Sequence, residues 1–157
     1  DATACEDSIN LIRVNGDVDT VNINESISDA LDIDFSNIKI KNINIKSAGN
    51  DCLDLSKGKY IINNILVENC GDKGISVGEK SQADLMEVKI NNTNTAIAVK
   101  DSSTVQVKKS SIHKSPICFS AYRKKQEFSG AKIKILDTNC KKENFYSQKG
   151  SKITLGL

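Results

Sequence analysis

Ala30-Leu31-Asp32-Ile33, Cys52-Leu53-Asp54-Leu55, Gly74-Ile75-Ser76-Val77, Ala96-Ile97-Ala98-Val99 and Cys118-Phe119-Ser120-Ala121 follow one another at a spacing of 22 residues. Each phrase is a small residue, a large apolar one, a short outward candidate and a second apolar or small residue. Ile9-Asn10-Leu11 opens the series one period earlier. A fixed period of this length is the mark of a repeat architecture, in which a unit that cannot bury its apolar row alone stacks on its neighbours.

Between these phrases lie further runs of alternating apolar residues. Val21-Asn22-Ile23, Ile43-Asn44-Ile45, Ile65-Leu66-Val67, Val88-Lys89-Ile90 and Ile133-Lys134-Ile135 read as a second strand of the repeat, and Ile38-Lys39-Ile40 and Val105-Gln106-Val107 as a third. The period of two is that of a strand with one buried face. No apolar stripe of helical period is sustained. Turn-forming residues separate the runs, as in Ser47-Ala48-Gly49-Asn50-Asp51 and Asn91-Asn92-Thr93-Asn94. The expected fold is therefore all-β, a right-handed parallel β-helix of about six to seven coils with a 22-residue repeat. A leucine-rich repeat would share the period, but its LxxLxL spacing is missing.

Composition agrees. The chain has 157 residues, 38% hydrophobic and 27% charged, with one Pro, no Trp and a formal charge of +2. That balance excludes collagen-like sequence and highly charged disorder, and gives no reason to expect nucleic acid as a partner. No apolar run approaches the roughly 20 residues of a membrane helix. Five Cys at positions 5, 52, 70, 118 and 140 cannot all pair within one chain and lack zinc-site spacing, so free, buried thiols are expected. Asp1-Ala2-Thr3-Ala4-Cys5 loosely resembles a lipoprotein cleavage site with no apolar segment before it. Residues 1–157 thus read as a single domain, mature or taken from a longer parent chain.

The ordered phrases Asn50-Asp51-Cys52-Leu53-Asp54-Leu55, Gly71-Asp72-Lys73-Gly74-Ile75-Ser76-Val77, Ala96-Ile97-Ala98-Val99-Lys100-Asp101 and Ala121-Tyr122-Arg123-Lys124-Lys125-Gln126-Glu127-Phe128 carry a resemblance over roughly residues 28–135. The repeat resembles the pectate-lyase-like superfamily of parallel β-helices. The phrases look like the β-helix region of bacterial proteins related to the CotH spore-coat kinase family. The resemblance implies a secreted or cell-surface bacterial setting. The kinase-like part itself is not matched, for the chain has no Gly-rich phosphate loop and no His-Arg-Asp catalytic loop.

Two sets of residues are candidates for a site. If Leu31 and Leu53 point inward, Asn10, Asp32, Asp54, Ser76, Ala98 and Ser120 form an outward column, with Asp7, Asp29 and Asp51 in a second column at the preceding turn. Asp29, Asp32, Asp51 and Asp54 could hold Ca²⁺ or supply an acid and a base, and in pectate lyases this face binds calcium and uronate chains. The competing reading is that these aspartates cap turns, with Lys73 as a neutralising partner. The second set is the insertion after Ala121. Val99 to Val105 spans six positions, whereas the equivalent Ala121 to Ile133 spans twelve. Tyr122, Arg123, Lys124, Lys125 and Phe128 are its candidate ligand-binding residues, against a reading as a solvated loop. His113, the one imidazole, is expected at the surface.

With no catalytic set assembled, the leading expectation is a non-catalytic secreted or surface-displayed module, a scaffold or recognition surface for ligands such as polysaccharide. The alternative is a calcium-dependent lyase or epimerase acting on acidic glycans. Residues 100–157 hold 13 Lys+Arg against 4 Asp+Glu, and residues 1–99 hold 9 against 16. In a solenoid that is an acidic end and a basic end, which suits head-to-tail self-association or capping by flanking domains.

Overall fold

In the computed structural model, which describes residues 7–156, the chain is a parallel β-solenoid of about 7 turns. Its strands are β1 (Ile9–Ile12), β2 (Asn15–Ile23), β3 (Leu31–Asp34), β4 (Asn37–Ile45), β5 (Leu53–Ser56), β6 (Lys59–Gly78), β7 (Gln82–Lys100), β8 (Thr104–His113), β9 (Ile117–Tyr122), β10 (Lys132–Thr138), β11 (Phe145–Ser147) and β12 (Lys152–Leu155). Among the described residues the only helical element is a single 3₁₀ turn, Lys142–Asn144. No helix among the described residues is long and apolar enough to cross a membrane.

The register is the one the 22-residue period demands. Ile9 pairs with Leu31, Leu31 with Leu53, Leu53 with Ile75, Ile75 with Ile97 and Ile97 with Phe119. Phe145 continues the column after 26 residues and packs its ring edge-on against Phe119, with centroids 5.1 Å apart. This column, built by β1, β3, β5, the end of β6, the end of β7, β9 and β11, forms one face of the solenoid. Two further faces come from the remaining strand segments. Within β4 the buried residues step by two from Ile38 to Ile40, then by three to Ile43, then by two to Ile45. The step of three marks a bend, because a strand that stayed straight would turn Ile43 and Ile45 to the solvent side. Ile62–Ile65 and Leu85–Val88 repeat it. One assignment from the sequence changes: Ile133 and Ile135 pair with Val105 and Val107, so they continue the face of Ile38 and Ile40, not that of Val88 and Ile90.

The corner between the first and second faces is a stack of left-handed residues: Arg13, Phe35, Lys57, Glu79 and Asp101 have φ between 49° and 57°. Non-glycine residues adopt this conformation at a cost of about 1–2 kcal/mol each. Side-chain contacts along the stack offset it. Arg13 and Lys57, from the coils on either side, sit over the Phe35 ring at 5.0 and 4.8 Å, and Lys57 pairs with Glu79 at 3.0 Å. Beneath the corner runs a buried serine ladder, in which Ser36 Oγ accepts from Val14 N, Ser81 Oγ from Gly58 N and Ser103 Oγ from Ser81 N. Gly58 occupies the serine position in its coil, and the Tyr60 hydroxyl fills the space, donating to the carbonyls of Ile33 and Ser56. At another corner Gly49 and Gly71 permit close stacking: a Cβ on Gly71 would lie 2.1 Å from the Gly49 carbonyl oxygen.

The expectation of free thiols is overturned for four cysteines. Cys52 is bonded to Cys70 and Cys118 to Cys140, with Cα–Cα distances of 5.4 and 6.5 Å. Parity in the sequence could not show this. Stacking brings residues about one coil apart into bonding range, as the separations of 18 and 22 residues reflect. Cys5 and the lipoprotein-like start lie outside the described residues.

Candidate functional site

The first face carries two outward columns. Asn10, Asp32, Asp54, Ser76, Ala98 and Ser120 form the expected one, in register throughout. Beside it run Asp34, Ser56 and Gly78, then Lys100 and Tyr122. Successive residues of a column lie about 4.8 Å apart along the axis. Although these positions point outward, the face is recessed. Asn10 is exposed and Asp32 and Asp54 half-buried, but Ser76 and Ala98 are 0% exposed. Lys100, only 8% exposed, lays its aliphatic stem over Gly78, where a Cβ would come within 2.9 Å of Lys100 Cε. Tyr122 is half-buried on the same face.

Electrostatics divides the groove. Partial burial pushes the Asp32 carboxyl up to about 7, and Asp34, Asp54, Asp7 and Asp29 reinforce the effect. The strongest charged influences on it are thus all carboxylates. Burial also raises Asp34, with Asp54 adding repulsion and Lys57 opposing it. Asp51 is pushed up to about 6 by burial, against the pull of Lys73. Towards the later coils the groove turns cationic. Burial works against the Lys73 ammonium, but its hydrogen bond to Asp72 and the charge of Asp51 outweigh it and hold its pKa above the ordinary lysine value. Desolvation likewise raises Tyr122.

The four acidic candidates separate into two roles. Asp29 Oδ1 accepts from Asn50 Nδ2 at 2.7 Å and from Asp51 N at 2.8 Å, and Asp51 Oδ1 accepts from Lys73 N at 3.1 Å. These two carboxylates tie each coil to the next at the turn. Asp32 and Asp54 face the groove, where Asn10 Nδ2 donates to Asp32 Oδ2 at 3.3 Å. Among the described residues no three His, Cys, Asp or Glu side chains converge closely enough to hold a metal ion.

All three buried side-chain oxygens without a protein hydrogen-bond partner among the described residues, Asp54 Oδ1, Ser76 Oγ and Asp101 Oδ2, lie on this face or at its corner. Elsewhere stacked polar side chains satisfy one another. Asn44 donates to Asn22, Asn64 to Asn42, Asn37 to Asn15 and Asn92 to Asn69, at 2.8–3.0 Å. The contrast is chemical: an amide carries both donor and acceptor and can ladder with its copy, whereas two carboxylates carry only acceptors.

The insertion after Ala121 is pinned. Asp101 Oδ1 accepts from the amides of Lys124 and Lys125 at 2.7 and 2.8 Å, and Gln148 Oε1 from Arg123 N at 2.7 Å. Its candidate residues do not converge. Tyr122 belongs to the groove, and Arg123 and Lys124 are exposed. Lys125 pairs with Glu79, and Phe128 lies under the Lys80 ammonium at 5.7 Å. Phe128 lines a separate open depression of about 430 Å³ with Lys57, Glu79, Lys80 and Gln82. His113 is exposed as expected, its Nε2 3.1 Å from Ser111 Oγ.

Asp34 and Lys100 are groove residues that the outward column of Asp32, Asp54 and Ser76 does not include. Their signal is in the sequence: Asp34, Ser56, Gly78, Lys100 and Tyr122 recur at 22 residues, two positions after the column of Asp32 and Asp54. Compared with protein-family models, with curated proteins and with solved structures, the chain matches none.

Proposed function

We propose that the chain is a non-catalytic recognition module whose first face binds an extended polyhydroxylated ligand, a carbohydrate chain, laid along the solenoid axis. The observation that carries this reading is the gathering of unpartnered buried oxygens on one recessed face while the other ladders are self-satisfied. A buried acceptor without a donor costs about 1–3 kcal/mol, and a ligand hydroxyl that supplies the donor recovers it. The regular axial spacing suits a polymer better than a compact metabolite. Two disulfides favour an oxidising, secreted or surface setting.

A lyase acting on acidic glycans would need a group on this face to take a proton. Lys73 and Tyr122 hold their protons more firmly than usual, which disfavours them as bases and leaves Asp32, raised to about 7, as the group a lyase would use. The test is isothermal titration with a panel of neutral, acidic and amino-sugar oligomers, alongside an ultraviolet assay for unsaturated product with and without Ca²⁺. Saturable binding without turnover, weakened by Asp54→Asn, is expected. Unsaturated product that disappears in Asp54→Asn would replace the module reading with the lyase one.

A further inference from the structure

We propose that the ligand of this groove is cationic: an amino-sugar oligomer whose ammonium groups sit over the cluster of Asp32, Asp34 and Asp54. The inference rests on the carbohydrate reading and names its chemical class.

Three observations converge. Asp32, Asp34 and Asp54 occupy adjacent positions of a two-column lattice, separated by about 4.8 Å between coils and about 7 Å along one strand. The charged groups acting most strongly on Asp32 are all carboxylates, so a further anion is repelled there and a cation attracted. Independently of that charge, Ser76 is 0% exposed with an unpartnered Oγ, and it stands in the same column directly after Asp54, whose Oδ1 is also unpartnered. Asp54 Oδ1 can only accept, and a serine hydroxyl can accept as well as donate. An ammonium brings three donors and a positive charge, and the hydroxyls beside it on a sugar bring more. Charge-assisted bonds of this kind are about twice as strong as neutral ones.

The lattice also decides against the other cations. Ca²⁺ requires six to eight oxygens at about 2.3–2.6 Å. Carboxylates fixed at the lattice spacings do not gather in that way, and Asp29 and Asp51 already bond the next coil's main chain. A chain with ammonium groups at intervals needs no convergence. The cationic segment is confined to the earlier coils, because Lys73 stands at the turn of the Ser76 coil and Lys100 and Tyr122 occupy the groove beyond it. A ligand that continues past them must present neutral or acceptor groups there.

The experiment is calorimetric titration of the whole chain at low salt and at a pH of about 7, where the Asp32 carboxyl gives up its proton. The titrants are a glucosamine oligomer, the N-acetylglucosamine and galacturonate oligomers of equal length, spermine and CaCl₂. The glucosamine oligomer should bind at least tenfold tighter than its acetylated form. Asp32→Asn and Asp54→Asn should each weaken it by about tenfold, as loss of one charged partner does. Both variants leave the coil register untouched, and their melting curves report whether they fold. Preference for the acetylated or uronate oligomer overturns the cationic assignment and leaves the carbohydrate reading standing. Spermine binding as tightly as the glucosamine oligomer keeps the cationic site but removes the carbohydrate. Calcium binding lost in Asp54→Asn, with no response to glucosamine, overturns the inference in favour of a metal. Silence from all five overturns both readings.

Discussion

Replacing Asp32 by Asn should stabilise this protein, by an amount that grows as pH rises from 3.8 to about 7 and is constant above that. Burial and four neighbouring carboxylates move its carboxyl from the ordinary 3.8 to about 7. The folded state therefore holds this proton more tightly than the unfolded chain does. Between 3.8 and about 7 folding takes up a proton, so the favourable contribution is complete below 3.8 and is lost as pH rises through about 7. At 1.36 kcal/mol per pKa unit the ionised form would carry roughly 4 kcal/mol. Asp32 is half in water and shares its repulsion with Asp54, so screening reduces this to about 1–2 kcal/mol. The substitution removes the charge, keeps an oxygen for Asn10 Nδ2, and brings an amide donor within one lattice step of Asp54 Oδ1, as the asparagine ladders on the other faces do. In a chain of this size the melting temperature should rise by roughly 2–8 °C at about pH 8. Near pH 3.5 wild type and variant should melt within about a degree of each other, because both side chains are then neutral. Asp34 and Asp51 titrate in the same sense, so a shallower slope with pH remains in the variant. The assay is thermal unfolding followed by circular dichroism in buffer containing a chelator. A variant no more stable than wild type at the higher pH, or equally stabilised at both, would refute the electrostatic account of the groove.

Three further outcomes follow from the packing. Tyr60→Phe removes the hydroxyl bonded to the carbonyls of Ile33 and Ser56 under the Gly58 corner; chemical denaturation should show a loss of about 1–3 kcal/mol. Leu53→Asp places an unpaired charge in the centre of the core and should abolish cooperative unfolding, while Asp54→Asn one position later should melt like wild type or higher. Asp101→Ala removes the acceptor shared by the amides of Lys124 and Lys125, so hydrogen exchange at those two amides should accelerate with little change in the amides of β7.

The architecture was legible in the sequence because one geometric fact enforces it at every coil. Residues that share an inward column must all be apolar, and a parallel stack repeats them at a constant interval. Leu31, Leu53, Ile75, Ile97 and Phe119 therefore announce both the period and the register, and the paired strands reproduce it residue by residue. The same logic told inward from outward at Asp32 and Asp54, and located the insertion between Ala121 and Ile133. Where the interval changes, legibility falls: the bend at Lys41 and the insertion before Lys132 decide which face Ile133 joins.

The site was legible only as a list of outward residues. Which of them share a groove, and in what state, depends on distances between coils that no linear spacing encodes. Asp29 and Asp32 look alike in sequence, yet one is spent on the Asp51 amide and the other faces a crowd of carboxylates. Ser76 reads as a solvated serine until Lys100, 24 residues later, lays its stem across the neighbouring column. The disulfides follow the same rule, since an odd count of cysteines says nothing about which of them a full turn of the solenoid brings within 5.4 or 6.5 Å. Periodic burial is a local property of the chain, repeated often enough to be read. Desolvation, charge crowding and covalent pairing are properties of what lies one coil above and one coil below, and the stacked structure alone brings those residues together.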